Sequence, residues 1–498
     1  MRMILFCLAQ GLGLAAAMAD DQPALRADVY QKALLEEQAG DNPAAVEDFT
    51  RVIEFNRQFA DAYEHRANVY SAMGKEEEAL ADFNVALELN PAADLALVNR
   101  GVVEYRKHDF AGAVADLDRA IKLNPKLALA FYNRGLAKQA SGDLDSASAD
   151  FDEAIRLDST MSKYYFGRAD LRKVTGDFSG AAADYEQGMK LEPKEAVVLM
   201  NHAESLGLQK DWAGAMAELD EAIKLSPNDR RIFRVRGNLK DKSGDRAGAM
   251  ADFARAIELG PGDAETYYDR GNVERVSGQL EAALADYDRA IAITPNVGVI
   301  YINRALVRNS RQEYQAAKDD CTRAIRLMPD FGPAYTTRGL TERGLGDAVG
   351  ALADWNKAIE LSPNGSEAYN NLGWLKSDEG DWAGALADFD RAIRLGPSVP
   401  LYYQNRAQMR DKLGDAAGAA ADRLQAENLA KVTPSPRVGY ELGKLGAVMQ
   451  RTFDSADSGN NVQQAPSGAQ GRPRTLRQAL QQAQAGTKGQ SQTNLPGQ

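Results

Sequence analysis

The chain has 498 residues, 44% of them hydrophobic, a formal net charge of −12, two cysteines and three histidines. An acidic balance of this size argues against nucleic acid as a partner, because phosphate binding draws its affinity from a basic face. Two cysteines cannot make a disulfide framework, and His65, His108 and His202 never stand at metal-ligand spacing from one another.

The first stretch, MRMILFCLAQGLGLAAAMA, carries one positive charge, an apolar run from Met3, and Ala17-Met18-Ala19 ahead of Asp20. That pattern reads as a secretory signal peptide over 1–19, so the expected location is exported, periplasmic or secreted according to the envelope. The run is too short and too interrupted by Gln10 and glycines for a membrane span of about 20 residues. The alternative is a buried N-terminal helix that caps the rest of the chain. Cys7 sits in this segment behind bulky Leu5 and Phe6, which does not fit a lipoprotein cleavage site.

From Arg26 the chain repeats itself every 34 residues, without insertion or deletion, in twelve units running from 26 to 433. The unit Ala264 to Val297 shows the pattern. Tyr267, Tyr268 and Gly271 share one helical face ahead of Ser277-Gly278. Leu280, Ala283, Leu284, Tyr287, Ala290 and Ile291 then recur at helical spacing up to Pro295. This predicts two amphipathic helices joined by a tight turn. Counting Ala264 as position 1, position 8 is Gly or Ala in every unit and position 20 is Ala in all twelve, where a larger side chain would hold the two helices apart.

Gly at position 15, Asp at 16 and Pro at 32 each recur in nine of the twelve units. Gly supplies a left-handed helix end, Asp can cap the helix that comes next, and Pro stops it. Where Gly gives way to His108, Lys210 or Gln312, the residue must take a positive φ or loosen the turn. The edges degrade, with Arg57 and Lys431 in place of Pro and Arg423 at the buried aromatic position 24, as expected of ends that meet solvent or a cap.

Small residues at 8, Ala at 20 and 27, a large apolar residue at 24 and Pro at 32 resemble the tetratricopeptide repeat position by position. The resemblance implies an all-α fold, a right-handed superhelical solenoid of antiparallel helical hairpins. Two positions depart from the commonest family pattern together. Position 7 is Arg in nine units and position 23 is Asp in eleven, which reads as a recurring ion pair inside each hairpin, as between Arg270 and Asp286. Lys32 with Asp48 and His202 with Glu218 obey the rule; Leu372 with Asp388 breaks it. On the surface each such pair would contribute about 0–1 kcal/mol.

Beyond Thr433 the composition turns to Pro, Gly, Ser, Gln and Asn, with seven Lys/Arg against three Asp/Glu over 434–498. Leu442, Leu445, Val448 and Met449 place a capping helix within 434–453, and 454–498 reads as a disordered, low-complexity tail.

No phosphate-cradling glycine loop, zinc-ligand motif or serine elbow occurs, so no catalytic, cofactor or metal site is expected, and Cys321 reads as a packed small hydrophobe. What the repeats offer is a surface. The resemblance implies that positions 2, 5, 6, 9, 12 and 13 of each first helix line a concave groove for a protein or peptide partner. Position 6 is Asn99, Asn133, Asn201, Asn303, Asn371 and Asn405, and position 9 adds Asn68, Asn238 and Asn272. A side-chain amide both donates and accepts, so a row of them can hold an extended chain without reading its sequence. It resembles the asparagine ladder of the superhelical arm in O-linked N-acetylglucosamine transferase, here without that enzyme's catalytic domain. The alternative is that these amides bond the neighbouring repeat.

Units five to seven also set Lys163, Lys173, Arg231, Arg234 and Lys242 at groove positions, against Asp170, Glu204 and Asp241. Arg234 and Asn238 resemble the first two residues of the carboxylate clamp in chaperone-tail-binding members of the family, whereas Asp269, Val299 and Asn303 depart from the rest of it. Arg231, Arg234 and Asn238 are then expected to anchor a carboxylate, the alternative being that these cations are solvated or already paired. The functional expectation is an exported protein-binding scaffold. The alternatives are an accessory subunit of a separate envelope enzyme, such as a glycosyltransferase or secretion machinery, and a structural part in envelope assembly.

Overall fold

A computed structural model describes residues 27–192 and 195–432. The expected signal peptide, capping helix and low-complexity tail lie outside these residues. The described chain is all-α and consists of twelve antiparallel helical hairpins in tandem, one per 34-residue unit. It divides between Ser226 and Pro227 into two compact units, one holding repeats 1–6 and the other repeats 7–12. Repeat 8 is typical, with a first helix over Ala264–Val276 and a second over Leu280–Ile293.

The turn between the two helices is built as its residues require. Each of the nine glycines at position 15 has a positive φ, and His108, Lys210 and Gln312 take it too, at 63°, 66° and 62°. Those three meet the left-handed cost, about 1–2 kcal/mol each, rather than loosen the turn. All nine aspartates at position 16 cap the second helix, accepting from the backbone N–H three residues on at 2.8–3.4 Å. Lys75, Gln279 and Glu313, which replace Asp, make no such bond.

The core arises from the small residues. Every alanine at position 20 is fully buried. Gly339 shows why position 8 is small: a Cβ there would lie 2.5 Å from Nε1 of Trp355, the fully buried position-24 residue of the same hairpin. In repeat 9, Cys321 fills that position and burial pushes its thiol up to about 12, which makes it a packing residue and a poor nucleophile.

Candidate functional site: the first-helix surface and the ion-pair frame beneath it

The recurring ion pair is more deeply set than the sequence suggests. In all nine repeats with Arg at position 7, its Nε and Nη2 grip both oxygens of the position-23 aspartate at 2.5–3.0 Å. The aspartates are 3–7% exposed, so the expectation of surface pairs is corrected: these carboxylates sit inside the hairpin. The cause is position 23 itself, which lies on the second helix between the buried positions 20 and 24 and faces the first helix. A planar guanidinium matches a carboxylate through two parallel bonds, which explains why Arg rather than Lys dominates.

Two further positions join this frame and were not singled out from sequence. In several repeats the remaining Nη1 of the arginine reaches back to position 25 of the repeat before, as from Arg134 to Asp118, Arg168 to Asp152 (both 2.6 Å) and Arg406 to Asp390 (2.7 Å), whereas before Arg270 that position is Ala254, whose side chain offers no acceptor. A second cation, one turn along at position 11, binds the same aspartate from Lys138, Arg172, Lys240, Arg308 and Arg410 at 2.7–3.1 Å. In repeat 11, where Leu372 breaks the rule, Lys376 at position 11 takes Asp388 alone at 2.6 Å. The spacing of four residues between the two cations was the available signal. Repeat 6 is the misfit: His202 stands 3.6 Å from Glu218, and neither ring nitrogen has a hydrogen-bond partner although the residue is buried.

The asparagines divide. Asn303 and Asn405 are buried. The first donates to the Tyr268 hydroxyl (2.8 Å) and to Asn272 (2.9 Å), the second to Asn370 (2.7 Å), in each case in the preceding repeat. Asn99 donates to Asn68 at 3.0 Å in the same way. For these the alternative holds, and the groove assignment of Asn303 and Asn405 is corrected. Position 6 meets positions 5 and 9 of the helix before it, and where those carry Asn or Tyr the amide is spent between repeats. Asn133 donates to the Leu129 carbonyl of its own helix. Asn201 and Asn371 are half-buried, the latter accepting from Asn370 at 3.4 Å.

The basic anchor is filled by the protein's own acids. Asp229 takes Arg231 through two bonds, Nε to Oδ1 at 3.0 Å and Nη2 to Oδ2 at 2.6 Å, and this pairing holds the Asp229 carboxyl below its usual range. Arg234 lies 2.8 Å from Glu265 and 3.4 Å from Asp269, and Asn238 donates to Asp269 at 2.8 Å. Burial raises the Asp269 carboxyl while Arg234 and Asn238 hold it down. The departure from the clamp pattern at Asp269 thus has a consequence: a ligand's carboxylate meets cations already neutralised. In the other unit, Lys173 is likewise taken by Glu204 at 2.7 Å.

Apolar side chains also stay uncovered. Leu95, Val197 and Leu401 at position 2 and Leu340 at position 9 are 37–49% exposed. His65, bonded to Glu37 at 2.8 Å and stacked on Phe49, lies in a different repeat from His108 and His202. Among the described residues no cluster of His, Cys, Asp and Glu is placed to hold a metal, and no helix is long and apolar enough to cross a membrane.

Family models described as TPR repeat and tetratricopeptide repeat match residues 60–92, 103–142, 128–161, 166–230, 234–297 and 355–387. No curated protein matches the sequence. Solved structures similar to this chain include yeast Tom70, with 16% identity over 82% of this chain and 99% of that one and a TM-score of 0.44. A tetratricopeptide repeat protein of Parabacteroides merdae has 20% identity over 49% and 97%, with a TM-score of 0.41. Pseudomonas aeruginosa pilF has 21% identity over 41% and 94%, with a TM-score of 0.38.

Proposed function

The chain belongs to the tetratricopeptide repeat family, and on that premise we propose that it is a non-catalytic scaffold that binds a protein or peptide on the groove-facing surface of its first helices. One observation carries the reading: most charged groups of the hairpins are paired within the protein, while Leu95, Val197, Leu340 and Leu401 stay exposed at groove positions. Recognition of this kind rests on a few apolar anchors, with polar neighbours supplying complementarity. Asn201 and Asn371 are the amides we assign to a partner's backbone. Arg231, Arg234 and Asn238 engage a partner carboxylate only by displacing Asp229, Glu265 and Asp269.

Export is part of the proposal and is supported by the apolar run and the Ala17-Met18-Ala19 boundary. The mature protein then begins at Asp20, which N-terminal sequencing checks; recovery of Met1 from cytosol removes this part. The binding part is tested by crosslinking wild-type protein and the separate variants Leu95→Asp and Leu340→Asp to partners in the exported fraction. Loss of the same crosslinked species in at least one variant, with helicity unchanged, supports the surface. Identical crosslinking in all three sinks it.

A further inference from the structure

The position-23 aspartate shows what becomes of a buried carboxylate when its second cation is changed. In repeats 4, 5, 7, 9 and 12 a Lys or Arg at position 11 completes its coordination. In repeats 3 and 8 that position holds Glu104 and Glu274, so a second carboxyl faces Asp116 and Asp286 inside the hairpin. One arginine serves two acids there. Arg100 is bidentate to Asp116 and only 4.0 Å from Glu104; Arg270 is bidentate to Asp286. Oε2 of each glutamate is buried without a hydrogen-bond partner, and Glu274 is 6% exposed.

Repeat 10 supplies the comparison. Glu342 stands at the same position, beside Asp354, and burial raises its carboxyl as well, but Lys318 at position 21 of the preceding second helix reaches it at 3.0 Å and opposes that rise. The corresponding residues before Glu274 and Glu104 are Met250 and Leu80, which carry no charge. The other neighbours do not compensate. The position-11 residues flanking Glu274, the cations Lys240 and Arg308, are bound to Asp252 and Asp320. Those flanking Glu104 are Tyr70, which is neutral, and Lys138, bound to Asp150. Asp109, at the helix start below Glu104, adds further negative charge.

We propose that the Glu104–Asp116 and Glu274–Asp286 carboxyl pairs are proton-binding sites that make repeats 3 and 8 pH-responsive joints within their units. Two carboxylates sharing one guanidinium in a buried place repel each other, and a proton on the glutamate relieves this. Burial, then the aspartate's charge, pushes both glutamates up to about 7, against the arginine that lowers them. The folded pKa lies above the unfolded one, so the stabilising contribution is full below about 4.3 and is lost as pH rises to 7 and beyond. Because each repeat leans mainly on its neighbours, loss of the proton loosens a hairpin locally and alters the surface there.

The test is amide hydrogen exchange on the full chain between pH 5.5 and 8, corrected for intrinsic exchange, comparing repeats 3 and 8 with repeats 4 and 9. The opening constant of repeats 3 and 8 should rise about tenfold per pH unit below 7 and level off above it, while repeats 4 and 9 stay flat. Glu274→Gln, which copies the protonated form, should flatten repeat 8 and leave repeat 3 responsive. Met250→Lys places a counter-charge where Lys318 sits and should reduce the pH dependence of repeat 8 and increase its protection at pH 8, a readout independent of whether the glutamine variant folds. Equal pH dependence in all four repeats, or an unchanged slope in repeat 8 with Lys at 250, overturns the proposal.

Discussion

A buried carboxylate is tolerated only when its charge and lone pairs are answered, and the Arg–Asp pairs answer both through two parallel bonds, with the arginine's Nη1 tied in several repeats to the repeat before. Arg66 and Asp82 isolate the effect, since position 11 of that repeat is Tyr70 and the third bond goes to the neutral Thr50 hydroxyl at 2.9 Å. Asp82→Ala leaves a desolvated guanidinium and should destabilise the repeat by about 3 kcal/mol, the low end for a buried pair because the Arg66 side chain keeps 15% exposure. The double change with Arg66→Ala should cost clearly less than the two single losses summed, measured by hydrogen exchange of residues 60–89; additive losses would show that the pair is not coupled. Repeat 6 gives the converse. His202 and Glu218 are 3.6 Å apart with buried atoms unsatisfied on both, so the repeat lacks the bidentate bond its neighbours have. His202→Arg with Glu218→Asp restores that chemistry and should raise protection in repeat 6 by about 0.5–2 kcal/mol; a fall in protection would mean the pocket is shaped to the imidazole.

At the scale of the helix, stability is decided at the turn, where three positions carry distinct costs. Gln312 takes a φ of 62° and has Glu313 after it, which does not cap. Replacing Gln312 by Gly removes about 1–2 kcal/mol of left-handed strain and gives back about 0.5–1 kcal/mol through the greater freedom of the unfolded chain. The net should be a gain of about 0.5–1 kcal/mol, read as slower exchange across Tyr314–Leu327; no gain would place the strain elsewhere. Asp109→Ala in repeat 3 should cost about 1 kcal/mol through loss of its 3.0 Å bond to the Gly112 amide. These features were legible in the sequence because they are local: a period of 34, a Gly-Asp turn and a small residue against a large one need no knowledge of what lies across the interface. The depth of the Arg–Asp pair was not, since the pairing rule recurs identically whether the carboxylate faces solvent or the core. Nor was the commitment of Asn303 to Tyr268 and Asn272, or of Arg234 to Glu265 and Asp269, because each depends on which side chain the previous or next repeat presents at one register position.

At the scale of the array, each hairpin packs mainly on its immediate neighbours, so interface residues are interchangeable wherever the register holds. Repeat 3, residues 94–127, gives a case with a specific outcome. Removing these 34 residues joins repeat 2 to repeat 4 in phase and sets Asn133 where Asn99 now donates to Asn68. In the intact chain Asn133 turns back to its own Leu129 carbonyl, because position 9 of repeat 3 is Val102, which cannot accept. Arg134, which now reaches Asp118, would find Asn84, the acceptor that Arg100 uses at 2.7 Å. Asn133 and Arg134 therefore each find a partner of the right kind at the new junction, whereas Glu76 and Glu77 lose theirs at the turn, where Ala140 and Ser141 replace Arg106 and Lys107. The shortened chain should keep its helicity per residue and unfold cooperatively by circular dichroism, and Asn133→Ala should cost it about 1 kcal/mol while costing the intact chain less. Removing 30 residues from the same place leaves four extra residues between repeats 2 and 4, which shifts position 6 of repeat 4 away from position 9 of repeat 2, and that chain should lose protection over both flanking repeats. Equal behaviour of the two deletions would mean that stability along the array does not depend on the repeat-to-repeat register.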